Sequence, residues 1–212
     1  MKQLTMLLRR MLPPFSLQHK ELREAIPDDY ESFCKIHTWF KDKPIPKSSV
    51  TIYYPGSADD MASVLMLCDA LFGKKTKKIS IIMLDIRDFS DGIIKQIKQF
   101  TKPWLVYHPP GEAKVIEALY RDRTIRISFY IRDAERLPPE LKGGIDIYYE
   151  RAFEIFRSNT TALTQVLRHM KPYGLIMSDY GFPRIKGFKR LKGIPQKLGL
   201  YEKFQILQRV PQ

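Results

Sequence analysis

A short turn in this 212-residue sequence has the residue types of a ligand-binding loop. It follows a β-branched and aromatic run at 50–54, and it precedes apolar residues that recur at helical spacing from Met61 to Phe72. A strand, a glycine-containing turn and a helix N-terminus together direct backbone N–H groups and a positive helix dipole at a ligand. The pattern predicts a site for a nucleotide-like ligand. The alternative is a turn that binds nothing, as most such turns of α/β proteins do. The residues of the turn are Tyr54, Pro55, Gly56, Ser57, Ala58, Asp59 and Asp60.

A carboxylate follows the next predicted strand. The near-continuous apolar run at 79–84 is typical of a strand buried on both faces, and it ends at Asp85. Gly56 and Asp85 are separated by about one strand–helix–strand step, which in a parallel sheet places both at the same edge. An acidic residue there can accept hydrogen bonds from ribose hydroxyls. The alternative is a capping or turn role for Asp85, and Asp88 and Asp91 compete for the ribose role.

The elements that must position these residues alternate along the chain from residue 50 onward, which predicts an α/β fold with a mainly parallel sheet and helices on both faces. Before them, residues 1–47 carry two amphipathic patterns and predict an N-terminal helical extension to the domain at 48–212. This extension either covers the mouth of a site or packs on the core edge. Gly174 is expected to cap the last long helix. Strands are predicted at 50–54, 79–84, 104–107, 125–131, 144–150, 175–178 and 204–210, and helices at 61–72, 93–100, 112–120 and 160–170.

The composition restricts the classes of protein to which the chain can belong. Its net charge of +13 predicts attraction to RNA, DNA, an acidic protein or lipid headgroups, unless the charge serves solubility alone. No run approaches the roughly 18 apolar residues of a membrane span, and we expect no signal peptide. Cys34 and Cys68 lack the spacing of a zinc site or a disulfide framework. We therefore expect no metal, no membrane and a cytoplasmic location.

The order of these features resembles that of the class I methyltransferases that use S-adenosylmethionine, which have a Rossmann-like sheet. Four places carry the resemblance, between about residues 49 and 181. They are the turn at 54–60, Asp85, the stretch 133–138 (DAERLP), and the pair of stretches 144–148 (GIDIY) and 167–176 (LRHMKPYGLI).

The resemblance implies S-adenosylmethionine as the cofactor. It places Tyr54, Pro55, Gly56, Ser57, Ala58 and Asp59 around the methionine part of the cofactor. It places Asp85 at the ribose hydroxyls, and Asp133 at the adenine amino group with Ala134 beside it. Methyl transfer needs mainly positioning of the acceptor and sometimes a base. Glu150 and Tyr149, at the end of the fourth core strand, are the residues expected to position or deprotonate the acceptor, although Glu150 could instead form an ordinary salt bridge with Arg151.

The sequence departs from the family pattern at the glycine-rich loop. Only Gly56 remains of its glycines, and Tyr53 stands roughly where the family has the first acidic residue. Each missing glycine is replaced by a side chain that can block close approach of a ligand. The alternative to a methyltransferase is therefore a non-catalytic relative that keeps the sheet as a binding platform.

A basic segment precedes the last predicted strand. Between residues 182 and 204, aromatic side chains lie among Arg184, Lys186, Lys189 and Arg190. Cations interleaved with aromatic rings suit phosphate contacts and base stacking. We expect either an acceptor-binding region, with RNA favoured over DNA, or a solvated loop before the last strand.

Overall fold

The structure, a computed structural model, describes residues 20–42, 44–107, 113–134, 136–151, 160–182, 184–198 and 203–211. In these residues a single sheet contains the strands β1 Ser49–Pro55, β2 Lys78–Asp85, β3 Lys102–Tyr107, β4 Ala113–Tyr120, β5 Arg123–Ile131, β6 Ile145–Glu150, β7 Met170–Ser178, β8 Phe188–Arg190 and β9 Gln205–Arg209. The helices are α1 Lys20–Ala25, α2 Pro27–Phe40, α3 Met61–Leu71, α4 Ser90–Phe100, a 3-10 helix Pro139–Gly143 and α5 Thr160–His169.

Five parallel strands form the centre of the sheet, in the spatial order β5-β2-β1-β6-β7. The hairpin β3–β4 extends the sheet beyond β5, and β9 and β8 extend it beyond β7, with antiparallel pairing in both extensions. Because the central strands are parallel, their carboxyl ends lie at one edge, called here the carboxyl edge. The register there pairs Pro55 with Leu84, Asp85 with Ile131 and Glu150 with Ser178.

The first face of the sheet is covered by α2, α3 and α4. All 11 residues of α3 are buried, because this helix lies between the sheet and α2. Phe33, Ile36 and Phe40 of α2 belong to the same buried cluster as α3. Part of the sequence before residue 48 therefore contributes to the main core.

The second face is covered by α5 and the 3-10 helix. Tyr53 and Tyr148 of the sheet are buried there with Leu141 and Val166 from the covering helices. Side chains of a strand alternate between faces, so Tyr54 lies on the first face and Tyr53 on the second. Helices on both faces explain why the parallel strands are nearly continuous apolar runs in the sequence.

The helix predicted at 112–120 is wrong, because Ala113–Tyr120 is strand β4. Its Ala, Lys, Glu and Leu residues favour a helix by intrinsic propensity. Antiparallel pairing with β5, through a tight turn in which Arg121 has a φ of 58°, outweighs that propensity. The stretch between the second and third central strands is thus a hairpin at the edge of the sheet. Residues 108–112, between β3 and β4, lie outside the described residues.

The helix cap predicted at Gly174 is also wrong, because α5 ends at His169 and Gly174 lies inside β7. A Cβ atom at Gly174 would lie 2.7 Å from the Met170 side chain and 2.9 Å from the carbonyl oxygen of Lys171. The glycine therefore permits close packing within the strand and does not end the helix.

The helices of the described residues are short. The longest, α2, has 14 residues, and none combines the length and apolar character that crossing a membrane requires. Within the same residues, no group of His, Cys, Asp and Glu side chains is arranged to hold a metal ion.

Candidate functional site

The Gly56 turn, residues 56–60, folds back over the end of β2. The backbone N–H of Gly56 donates to the carbonyl oxygen of Leu84 at 2.7 Å, and Gly56 has a φ of 60°. Glycine adopts this left-handed conformation without steric cost. Ala58 is also left-handed, with a φ of 45°, which is uncommon for a residue with a Cβ atom. The turn therefore holds a strained backbone beside the end of the neighbouring strand.

Asp85 fastens this turn. Its Oδ2 accepts a hydrogen bond from the Ala58 N–H at 3.1 Å, and its Oδ1 accepts one from the Arg87 N–H at 3.3 Å. The residue is buried at the end of β2. Each carboxylate oxygen has a second lone pair, so Asp85 can still accept from a ligand hydroxyl. Asp85 thus stabilises a turn, which was the alternative to ribose binding, and its free lone pairs also allow it to bind ribose hydroxyls.

Asp88 and Asp91, the two other carboxylates considered for the ribose role, lie at the start of α4. Asp88 pairs with Lys114 at 2.6 Å and accepts from the N–H of Ser90 at 3.0 Å at the start of α4. Hydrogen bonds from Lys114 and Ser90 lower the pKa of Asp88 to about 2. Asp91 is exposed in the first turn of α4. Of the three carboxylates, Asp85 is the one hydrogen-bonded to the Gly56 turn.

The loop after β5 joins the same edge. The N–H of Arg132 donates to the carbonyl oxygen of Asp85 at 2.9 Å, which ties this loop to β2. Asp133 is exposed, and Ala134 beside it is half-buried. The structure therefore brings the Gly56 turn, Asp85 and Asp133 to the ends of the adjacent strands β1, β2 and β5.

Tyr53 lies in β1 two residues before its end, and the family resemblance gives it no contact with the cofactor. Its hydroxyl is buried and forms no hydrogen bond with any residue that the structure describes. Burial raises the pKa of Tyr53, and this effect is opposed by Arg132 in the loop after β5. A buried, unsatisfied hydroxyl is uncommon in native structures and is expected where a ligand or water supplies the partner.

Arg151 joins four elements at the carboxyl edge. Its guanidinium lies 2.7 Å from Asp29 of α2, 3.3 Å from Asp60 and 3.7 Å from Asp179, a group called here the Arg151 cluster. Asp60 also caps α3 at the N–H of Ser63 and accepts from the Tyr54 hydroxyl at 2.8 Å. Burial raises the pKa of Asp29, against the opposing effect of Arg151. Among the described residues, this cluster has three carboxylates and one guanidinium, an acidic excess that favours a cationic ligand.

Asp59, expected around the cofactor, lies against α4. A Cβ atom added to Gly92 of that helix would lie 2.4 Å from Asp59 Oδ2. Asp59 and Asp60 line a cavity of about 440 Å³ between α3 and α4. The Asp59 side chain therefore contacts α4 at Gly92.

Strand alternation separates the two residues predicted to act on the acceptor. Glu150 is buried and its Oε2 accepts from the Tyr148 hydroxyl at 2.6 Å on the second face. Tyr149 lies on the first face, where its ring is 4.9 Å from that of Tyr54. Glu150 thus lies near the carboxyl edge and is hydrogen-bonded to Tyr148. Because residues two apart in a strand share a face, the spacing of Tyr148 and Glu150 in the sequence is what could have predicted this pair.

The predicted acceptor-binding residues are exposed at the β8 side of the sheet. They are Arg184, Lys186, Lys189 and Arg190. Lys189 pairs in register with Gln208, and Gln208 pairs with Leu175. Leu175 lies about 10 Å along β7 from the carboxyl edge at the usual rise per strand residue. The structure therefore does not bring Lys189 to the residues of the Gly56 turn.

No protein-family model matches the sequence, and a search of curated proteins finds no significant match. The solved structures that are similar in fold include the following two. A protein of Methanococcus maripaludis, assigned provisionally as an S-adenosylmethionine-dependent methyltransferase, has a TM-score of 0.50 and 16% identity over 92% of this chain and 90% of its own. A protein of Clostridium thermocellum, assigned provisionally as an rRNA methylase, has a TM-score of 0.50 and 12% identity over 85% of this chain and 97% of its own. The chain has the class I methyltransferase fold.

The mostly parallel sheet with helices on both faces confirms the predicted fold class. The strand order places β1 between β2 and β6, and so places the Gly56 turn between Asp85 and Glu150. The β3–β4 hairpin extends the sheet outside β5.

Proposed function

We propose that this protein is an S-adenosylmethionine-dependent methyltransferase whose acceptor is anionic, with RNA as the acceptor class. The observation that carries the proposal is the meeting of the Gly56 turn, Asp85 and Asp133 at the ends of three adjacent parallel strands. Ligands of open α/β sheets bind at this edge, outside the carboxyl ends of the strands.

The residues present fit the cofactor. Asp85 keeps lone pairs for the ribose hydroxyls, and the exposed Asp133 can accept from the adenine amino group. The acidic excess of the Arg151 cluster suits a ligand that carries a positive charge. The cofactor would supply an electrophilic methyl group on a cationic sulfur. The protein would supply orientation and a negative environment for that charge.

Glu150 is the residue proposed to act on the acceptor. It lies at the end of β6, beside the Gly56 turn in the strand order, and it is held by the Tyr148 hydroxyl. A carboxylate fixed by a hydrogen bond can orient an acceptor group or take its proton. Tyr149 lies on the other face, so its proposed contribution is to packing against Tyr54.

RNA as the acceptor is supported by charge. The net charge is +13, and the exposed cations of the basic segment extend along the β8 side of the molecule. Such a surface attracts a phosphate backbone and makes the affinity depend on salt. RNA is also the substrate class in the name given to the Clostridium protein.

The hydrogen bonds and backbone conformation of the Gly56 turn favour a second candidate function. Both Asp85 oxygens already accept backbone hydrogen bonds, and Ala58 stands where a glycine would relax the backbone. In this alternative the chain binds an anionic partner and has lost cofactor binding.

A transfer assay tests the proposed activity. The protein is incubated with S-adenosylmethionine labelled in its methyl group and with matched pools of random-sequence, unmodified RNA and DNA. We expect label in the RNA pool, and less label with the Glu150→Gln variant. Cofactor binding without label in the RNA would contradict RNA as the acceptor.

A further inference from the structure

A cavity of about 580 Å³ lies away from the carboxyl edge, towards the amino ends of the central strands. Lys47, which precedes β1, and Asp146, near the start of β6, contribute to its lining. Its volume is in the range of small-ligand pockets, which are mostly apolar with a few polar groups. The proposed cofactor site does not include this cavity, which is on the order of 10 Å away along β6 and β7.

Tyr173 stands at this cavity on a bulged segment of β7. The pairing of β6 with β7 shifts register between Ile145 and Ile147, which leaves residues 171–174 outside the regular ladder. Tyr173 has a φ of 61° and is 62% exposed. A bulky residue in the left-handed region is strained, and bulges commonly redirect a side chain towards a functional site. Because Tyr173 is largely exposed and lines the cavity, its aromatic face is open to a ligand.

Trp39 supplies a second aromatic ring to the same cavity. Its Nε1–H donates to the carbonyl oxygen of Lys192 at 3.0 Å, and its ring packs edge-on against Phe40 with centroids 4.6 Å apart. These contacts fix the orientation of the indole. A cavity with a fixed Trp and an exposed Tyr is suited to stacking of a planar base.

The charged groups of the cavity favour an anion. The buried Asp146 accepts from Lys47 at 2.5 Å, from Lys171 at 2.9 Å and from the N–H of Thr51 at 2.9 Å. The charges of these two lysines exceed the single negative charge of Asp146. Lys189 also lines the cavity, and it forms no ion pair within the described part of the chain. The excess positive charge is suited to a phosphate.

We propose that this cavity binds one nucleotide of a single-stranded RNA, with the base against Trp39 and Tyr173 and the phosphate at Lys189 and Lys47. Stacking on aromatic rings with cations along the backbone is the general mode of single-strand recognition. The inference rests on the proposed function for the choice of RNA and is independent of cofactor binding. The cavity holds a nucleotide away from the reacting one and thereby anchors the acceptor.

Fluorescence anisotropy with a labelled oligouridine of about ten nucleotides, a length within the usual range of single-strand sites, tests this inference on the full chain without cofactor. We expect Tyr173→Ala to raise Kd at least about fivefold and Tyr173→Phe to leave it nearly unchanged, because stacking needs only the ring. Lys189→Ala should lower the slope of log K against log salt by about 0.7. Lys98→Ala, an equal loss of charge at an exposed position on α4, is the matched control and should have little effect on Kd.

The outcomes separate this inference from the proposed function. Equal affinity of wild type and Tyr173→Ala, with label still transferred to RNA, would overturn the anchoring site and leave the methyltransferase proposal standing. Competition by uridine monophosphate as strong as that by the oligonucleotide would show a site for free nucleotides and contradict the RNA strand. Circular dichroism of each variant shows whether a loss of binding reflects a loss of folding.

Discussion

At the scale of single residues, the Asp85 side chain holds the Gly56 turn through the N–H of Ala58. We expect Asp85→Ala to lower the free energy of unfolding by about 1–3 kcal/mol, because the N–H groups of Ala58 and Arg87 lose a buried acceptor. Asp85→Asn keeps one acceptor oxygen, so its free energy of unfolding should lie between those of wild type and Asp85→Ala. Urea unfolding measures both variants. An unchanged free energy of unfolding in Asp85→Ala would contradict the role of Asp85 in holding the turn.

Tyr53 and Tyr148 pack against each other but differ in the partners of their hydroxyl groups. Their rings pack edge-on with centroids 5.8 Å apart, but only the Tyr148 hydroxyl has a described partner, Glu150. Tyr148→Phe should destabilise the protein by about 1–3 kcal/mol because Glu150 loses a buried donor. Tyr53→Phe should leave the cofactor-free protein equally or more stable and weaken binding of S-adenosylhomocysteine. A destabilised Tyr53→Phe protein with unchanged ligand affinity would contradict our assignment of Tyr53 to the site.

At the scale of elements, Arg151 connects α2 to the ends of β6 and β7 and to the cap of α3. Arg151→Leu removes a largely buried guanidinium from three neighbouring carboxylates and should cost about 3–5 kcal/mol of unfolding free energy. Arg126→Leu is the control, because its exposed pair with Glu117 at 3.4 Å is worth less than about 1 kcal/mol. Similar losses in the two variants would contradict a structural role for the Arg151 cluster.

The packing of α2 on α3 gives a pH dependence. Burial lowers the pKa of His37 on α2, against the raising effect of backbone hydrogen bonds at Asp69 and Ala70. The unfolded chain therefore takes up this proton first, near pH 6.5, and stability from His37 is lost as the pH falls through that value towards the folded pKa. In urea unfolding at a series of pH values, His37→Gln should lose less stability between neutral and acidic pH than wild type. Parallel curves for the two proteins would contradict this assignment.

The sequence was most informative about the elements of the sheet centre. Apolar runs ending in Asp85 and Glu150 identify parallel strands because both faces of those strands are covered. The strand at 113–120 was missed, since its pairing with β5 is a tertiary effect that local propensity opposes.

The candidate site was predicted only where motifs mark strand ends. Asp85 and Asp133 follow strands directly, and strand order places them at one edge. Tyr53 and Asp29 could not be assigned, because the orphan hydroxyl of Tyr53 and the pairing of Asp29 with Arg151 depend on packing between distant segments.

At the scale of the whole molecule, two separate regions are proposed to bind two different ligands. The proposed cofactor site lies at the carboxyl edge, and the proposed nucleotide cavity lies towards the amino ends of the same strands. The net charge of +13 predicts that RNA affinity falls steeply as salt is added, because bound phosphates release counterions. Anisotropy titrations over a range of salt concentrations measure this effect. Affinity that does not change with salt would contradict phosphate recognition.

The most direct test of the central claim is titration calorimetry of the protein with S-adenosylhomocysteine. We predict measurable heat and a raised melting temperature for wild type. Asp133→Ala should weaken binding about tenfold, the effect of one lost hydrogen bond to a ligand. Asp91→Ala, which removes another exposed carboxylate outside the proposed site, should bind as wild type. No heat and no thermal shift at millimolar ligand would contradict the methyltransferase account and leave the non-catalytic binding protein as the remaining function.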